Sequence, residues 1–144
     1  MLQKILVPTD GSELSLRAAK GAVELAARLQ SHIVGVTVVE PYAYASLSEY
    51  RPETIAEYEQ RADQVARERL GAVQALAQAA GVPVETVVAR SFSPYEAIIE
   101  EAKRSNCDAI FMASHGRRGL SAVLLGSETQ KVLTHSHVPV MVYR

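Results

Sequence analysis

Cysteine is almost missing from this chain: Cys107 is the single one in 144 residues. One thiol cannot close an internal disulfide or supply a zinc ribbon or a redox CxxC pair, so a reducing cytoplasm is the expected compartment. An excess of charge is missing too, with 15 Lys plus Arg against 16 Asp plus Glu and a formal net charge of -1. Without a long basic run, no nucleic-acid partner is expected. Long apolar runs are also lacking. Nothing approaches the roughly 20 residues of a membrane span, and Pro8 and Asp10 interrupt the N-terminal segment before a signal-peptide apolar region can form. No membrane association is therefore expected. The GxxxxGK[ST], GxGxxG and GxSxG patterns do not occur, which excludes an ordinary P-loop, the usual dinucleotide fingerprint and a hydrolase nucleophile elbow.

What the chain does have is a regular alternation of strand-like and helix-like segments. Its length and 48% apolar content suit one domain, 1–144, because a chain of this size buries roughly two-thirds of the surface it exposes when unfolded. Lys4 to Val7 is a short apolar run ended by Pro8, and Thr9 to Ser12 carry turn and helix-start chemistry. Leu16, Ala19, Val23, Ala26 and Leu29 then step by three or four along one helix face. His32 to Val39 is rich in β-branched residues and reads as a second strand. Pro41, Pro52, Tyr42, Tyr44 and Tyr50 mark Glu40 to Pro52 as a mobile loop.

From Glu53 to Ala80, residues Ile55, Tyr58, Ala62, Val65, Val73 and Leu76 define the apolar side of a long helix, stopped by a glycine cap at Gly81. Val84 to Ala89 is the third strand. Ser93 to Glu96 reads as a capping box with proline at the first helical position, opening a helix to about Ser105. Ala109 to Ala113 is the fourth strand, Ser127 to Gln130 a second capping box opening a helix to about Thr134, and Pro139 to Tyr143 the last strand. Gly21 and Gly71 fall inside predicted helices, where each costs about 1 kcal/mol relative to alanine; close helix packing is the expected compensation. Strands separated by helices imply right-handed βαβ crossovers, an α/β parallel sheet with helices on both faces, and ligands bound beyond the carboxyl ends of the strands.

The segment between the fourth strand and the fourth helix, from Ala113 through Ser114, His115, Gly116, Arg117, Arg118 and Gly119 to Gly126 and Ser127, is where an anion would be cradled. Glycines let backbone N–H groups approach a phosphate, and a helix start adds unpaired N–H donors and a positive dipole end. The chemistry alone leaves a second reading open, in which Ser127 only caps its helix with Gln130 as partner and the arginines are solvated surface charge.

The run MASHGRRGLSAVLLGSETQKVL, the closing HVPVMVYR, the opening ILVPTDGS and the SPYEAI helix start together resemble the universal stress protein family, single-domain class, over essentially the whole chain. The resemblance implies a Rossmann-like five-stranded parallel sheet of order 3-2-1-4-5, a homodimer through the C-terminal strand, and similarity to the branch that binds ATP. The pattern G-x2-G-x9-G-[ST] of that branch aligns with Ala113, Gly116, Gly126 and Ser127. Alanine stands at its first glycine, where a positive φ would cost about 1 to 2 kcal/mol, and Phe92 stands where relatives often carry glycine. Carried over by position, the resemblance implies that Pro8, Thr9 and Asp10 border the adenosine, that Val38 lines the adenine slot, and that Met112 and Ala113 border the ribose. Gly116, Arg117, Arg118, Gly119, Gly126, Ser127, Glu128 and Thr129 would surround the phosphates. Mg²⁺ or Mn²⁺ would arrive with the ATP phosphates, since no carboxylate cluster is evident to hold it alone. The implied function is that of an ATP-binding stress-response or regulatory protein with little or no hydrolysis. The alternative is a partner-binding or structural dimer without nucleotide.

Rival chemistries find less support. Asp10 lacks the second acid of an aspartyl phosphotransfer site, since Ser12 stands two residues on. Ser114 and His115 are only sequence neighbours, and a catalytic dyad requires spatial geometry that adjacency does not supply. His135 and His137 suit a solvated helix end better than a metal site.

Overall fold

The computed structural model describes residues 2–42, 53–117 and 124–144. Most of the expected loop at 40–52 lies outside the described residues, and so do residues 118–123 of the arginine- and glycine-bearing segment, including Arg118 and Gly119. Among the described residues nine elements alternate: β1 (Lys4–Pro8), α1 (Glu13–Leu29), β2 (His32–Val39), α2 (Ile55–Ala79), β3 (Val84–Arg90), α3 (Pro94–Arg104), β4 (Ala109–Ala113), α4 (Ser127–His135) and β5 (Val140–Tyr143). The strands form one parallel sheet in the order β3-β2-β1-β4-β5, with Ile5 opposite both Ile33 of β2 and Ala109 of β4. The order reverses between β1 and β4, so the loops after these two strands diverge over opposite faces.

Side-chain alternation splits the core into two layers. Ile5, Val7 and Ile33 pack with Ala19, Ala22, Val23 and Ala26 of α1 and Val73 and Ala77 of α2. Leu6, Val34, Val36, Ile110 and Met112 face Ile98 and Ala102 of α3 and Val132 of α4. Fully burying one such Val or Ile contributes about 1.5 to 3 kcal/mol. The small residues of α1 let it lie close to the sheet: a β-carbon on Gly21 would come within 3.3 Å of Phe111 and Tyr143. Close packing is therefore the role of that glycine. A β-carbon on Gly71 would meet nothing within 4 Å, so the packing expected there is not found.

The start of α1 and the end of α2 keep their sequence signatures, whereas the starts of α3 and α4 depart from theirs. Ser12 caps α1 by accepting the Ser15 N–H. Thr54 and Glu57 form a complete capping box on α2, and Gly81 follows its end at φ +68°. Neither box expected at Ser93 or Ser127 forms. Ser93 makes no side-chain cap bond; Glu128 of α4 instead accepts the Tyr95 N–H at 2.8 Å, while Glu96 accepts from the Tyr95 hydroxyl. On α4 the N-cap is Gly126, Ser127 is already helical, and Gln130 Nε2 donates to Leu125 O. The buried face of α2 is Ala66, Leu70, Val73 and Ala77; Ile55, expected on it, is 50% exposed, because the helix meets the sheet only along its second half.

Candidate functional site

The carboxyl ends of β1 and β4 bring the expected residues together on two levels. Strand alternation places Pro8, Val38 and Met112 on the α3/α4 side, where Val38 and Met112 belong to the apolar layer with Val87, Ala89 and Tyr95. Thr9 points the other way. Its N–H donates to Val36 O, its Oγ1 accepts the Gly11 N–H and lies 3.1 Å from Ser15 Oγ, so it orders the turn into α1. Ala113 is an ordinary strand residue with no positive φ. The backbone strain considered for alanine at this motif position does not arise, and neither does its cost.

Asp10 ties the first loop to the fourth. Its Oδ1 accepts the Ser12 N–H at 2.9 Å and its Oδ2 accepts the Arg117 N–H at 2.8 Å, while Arg117 Nε donates back to Asp10 O at 2.9 Å. Burial pulls the Asp10 pKa upward, but hydrogen bonds from the Ser12 hydroxyl, the Ser12 and Arg117 N–H groups and the Ser15 hydroxyl outweigh it, leaving the carboxyl below its ordinary value. A β-carbon on Gly116 would land on Asp10 Oδ2. The second motif glycine is therefore required by this carboxylate's close approach.

The two ends of the fourth loop are also joined. Gly126 N–H donates to Ser114 O at 2.7 Å, and a β-carbon on Gly126 would stand 3.1 Å from His115 Cα. Thr129 Oγ1 donates to Ala113 O at 3.0 Å, seating α4 against β4. Among the described residues no side chain caps α4, and its start lies against Ser114 and His115 through Gly126; an uncapped helix start carries N–H donors suited to an anion. Glu128 holds α3 and α4 together through Tyr95 N–H. A groove of about 470 Å³ runs along the α1 side of this rim, past Ser12, Arg17, Ser114, His115, Gly116 and Arg144.

Ser114 Oγ lies 3.2 Å from His115 Nδ1. Ser114 is 4% exposed, a poor position for a nucleophile that must meet substrate. Among the described residues no three His, Cys, Asp or Glu side chains gather as a metal site would require. Sequence reasoning missed Arg69 of α2, whose guanidinium reaches Thr37 Oγ1 at 3.4 Å and whose Cγ flanks Gly11. No local signal distinguishes it from the exposed arginines of the same helix.

Comparison with known proteins agrees with the geometry. The model of the universal stress protein family matches residues 1–144. Universal stress protein MJ0531 of Methanocaldococcus jannaschii is 33% identical over 145 residues, covering 100% of this chain and 83% of that protein. The solved structure of MJ0577 from the same organism superposes with a TM-score of 0.83 at 27% identity, covering 99% of this chain and 96% of that one. A universal stress protein solved in complex with cAMP shares the fold at a TM-score of 0.71 and 24% identity, covering 99% of this chain and 97% of its own.

Proposed function

Because this chain belongs to the universal stress protein family, we propose that it binds an adenine nucleotide, ATP above all, at the carboxyl ends of β1 and β4. The observation that carries this reading is the start of α4: a glycine N-cap, a first turn that no side chain of the described residues caps, and a rim held against it by the Gly126 to Ser114 hydrogen bond. Pro8, Val38 and Met112 offer apolar surface for the base and ribose, with Asp10, Thr9 and Ala113 at its border. Gly116, Arg117, Gly126, Ser127, Glu128 and Thr129 are assigned to the phosphate side by this reading, which also assigns Arg118 and Gly119 there by their place in the sequence pattern alone. Any Mg²⁺ or Mn²⁺ arrives on the phosphates. The cAMP complex of a related fold lends support from a neighbour.

The role is regulatory binding with slow or no turnover, below about one event per minute, a barrier on the order of 20 kcal/mol. Fast phosphoryl transfer needs a positioned base for water, and the Asp10 carboxylate is held by the N–H groups of Ser12 and Arg117. That same engagement of Asp10 favours the second reading, a partner-binding dimer without nucleotide.

Calorimetry with ATP, AMP and GTP decides between them. ATP binding tighter than GTP, weakened about tenfold or more by Ser127→Glu, is the expected result, since that variant places a fixed carboxylate at the first turn of α4 without removing a helix contact. Absence of heat with ATP at millimolar concentration, with or without Mg²⁺, assigns the protein to the second reading.

A further inference from the structure

Two guanidinium groups converge over Gly11 on the α1/α2 side of the sheet. A β-carbon on Gly11 would stand 3.0 Å from Arg69 Cγ, 3.4 Å from Arg69 Nε and 3.1 Å from Arg117 Nη2, and the residue itself is at φ +78°. Glycine thus serves the turn and leaves room for both arginines. Arg69 is partly buried, its Nε is fully buried with no hydrogen-bond partner among the described residues, and its bond to Thr37 Oγ1 is long at 3.4 Å. Among the described residues neither Arg69 nor Arg117 takes part in a salt bridge. Asp10, close enough for its charge to reach Arg69, has its carboxylate turned to the N–H groups of Ser12 and Arg117. Burial first, then the charge of Arg117, lowers the Arg69 pKa, with Asp10 opposing.

Two like charges, one of them partly desolvated with an unmet donor, are an unfavourable arrangement in an empty site and a favourable one around an anion. We propose that Arg69 and Arg117 form a phosphate-binding site over Gly11, beside the α4 cradle, with Arg117 common to both and Arg69 particular to this site, reached from the carboxyl ends of β1 and β2. Phosphate fits the chemistry: its oxygens match the planar forks of two guanidinium groups, and its double charge balances both. The phosphate comes either from a free or separately bound phosphate compound or from the distal end of a nucleotide held in the cradle. Recognition by Arg69 is common to both.

The test uses inorganic phosphate against chloride at equal ionic strength, with the full chain and its Arg69→Met variant. Phosphate is expected to raise the thermal midpoint of the parent protein and to shift its Arg69 Nε–H resonance at millimolar concentration, with an apparent affinity about tenfold weaker or worse in Arg117→Ala. In Arg69→Met the midpoint response to phosphate disappears, while the midpoint in chloride is unchanged or higher because a like charge and an unmet donor are gone. Repeating the titration with saturating adenosine or ATP separates the sources: a response suppressed by ATP alone assigns the phosphate to the nucleotide, and a response that survives both assigns it to a separate ligand. An unmoved Arg69 Nε–H resonance in the parent, or equal midpoint responses in parent and Arg69→Met, overturns the site. Adenosine binding, measured in the same samples, reports independently on the nucleotide cleft.

Discussion

Asp10 shows how one side chain can serve a loop before it serves a ligand. Its net lowered pKa means that folding favours the carboxylate. The stabilisation is fully present above the ordinary value near 3.8 and is lost as pH falls through the lower folded value. Asp10→Asn should therefore be less stable than the parent at neutral pH and lose less on acidification below about pH 4, so that the two denaturation curves converge in acid. Urea midpoints across that range measure it. Gly116→Ala attacks the same contact from the other side. The methyl group displaces Asp10 Oδ2 and with it the Arg117 N–H bond, with an expected cost of about 1 to 3 kcal/mol in chemical denaturation. Weakened ATP binding in the same variant would link the loop's order to the cradle.

Among the elements, the helices separate two kinds of glycine. Gly71 sits exposed in α2 with open space around it, so Gly71→Ala should stabilise the protein by about 0.5 to 1 kcal/mol, or about 2 to 4 °C in thermal midpoint. Gly21→Ala gains the same helix propensity but presses on the Phe111 and Tyr143 rings at 3.3 Å. It should give no gain or a net loss as the ring pair moves off α1. Differential scanning calorimetry of both variants checks the contrast. The α3 and α4 starts carry a related lesson: Glu128 satisfies the Tyr95 N–H across the interface, coupling the two helices that flank the proposed nucleotide cleft.

For the whole molecule, the strand order sets what each edge of the sheet can do. The β3 edge carries Glu85 and Arg90, charged residues that discourage pairing with another chain. The β5 edge carries Val140, Met141, Val142 and Tyr143. Ile110 and Ser114 donate to the carbonyls of Pro139 and Tyr143, so alternation turns the backbone groups of Val140 and Val142 to the open side. A two-fold antiparallel pairing of β5 strands is the expected assembly. Val142→Pro should convert a dimer into a monomer while leaving the β4 ladder intact, because the lost N–H faces outward. Equilibrium sedimentation at micromolar concentration checks this, and a parent protein that is already monomeric would refute the pairing.

The sequence by itself determined the alternation of five strands and four helices, since apolar periodicity, β-branched runs, Ser12 and Gly81 act through neighbours a few residues apart. It offered Gly116, Gly126 and Ser127 as a candidate anion-binding pattern and left a plain helix cap open beside it. Tertiary structure alone decided which donors and carboxylates meet. The boxes at Ser93 and Ser127 were plausible locally, yet Glu128 and Leu125 O hold the better-placed partners. Ile55 fits an apolar helical period but lies on the half of α2 that the sheet does not reach. Asp10 finds the Arg117 N–H 107 positions away, and Arg69 arrives at Gly11 only because α2 packs on the same face as α1. Contacts at such separations depend on how whole helices seat against the sheet, and a local pattern of residues carries no record of that.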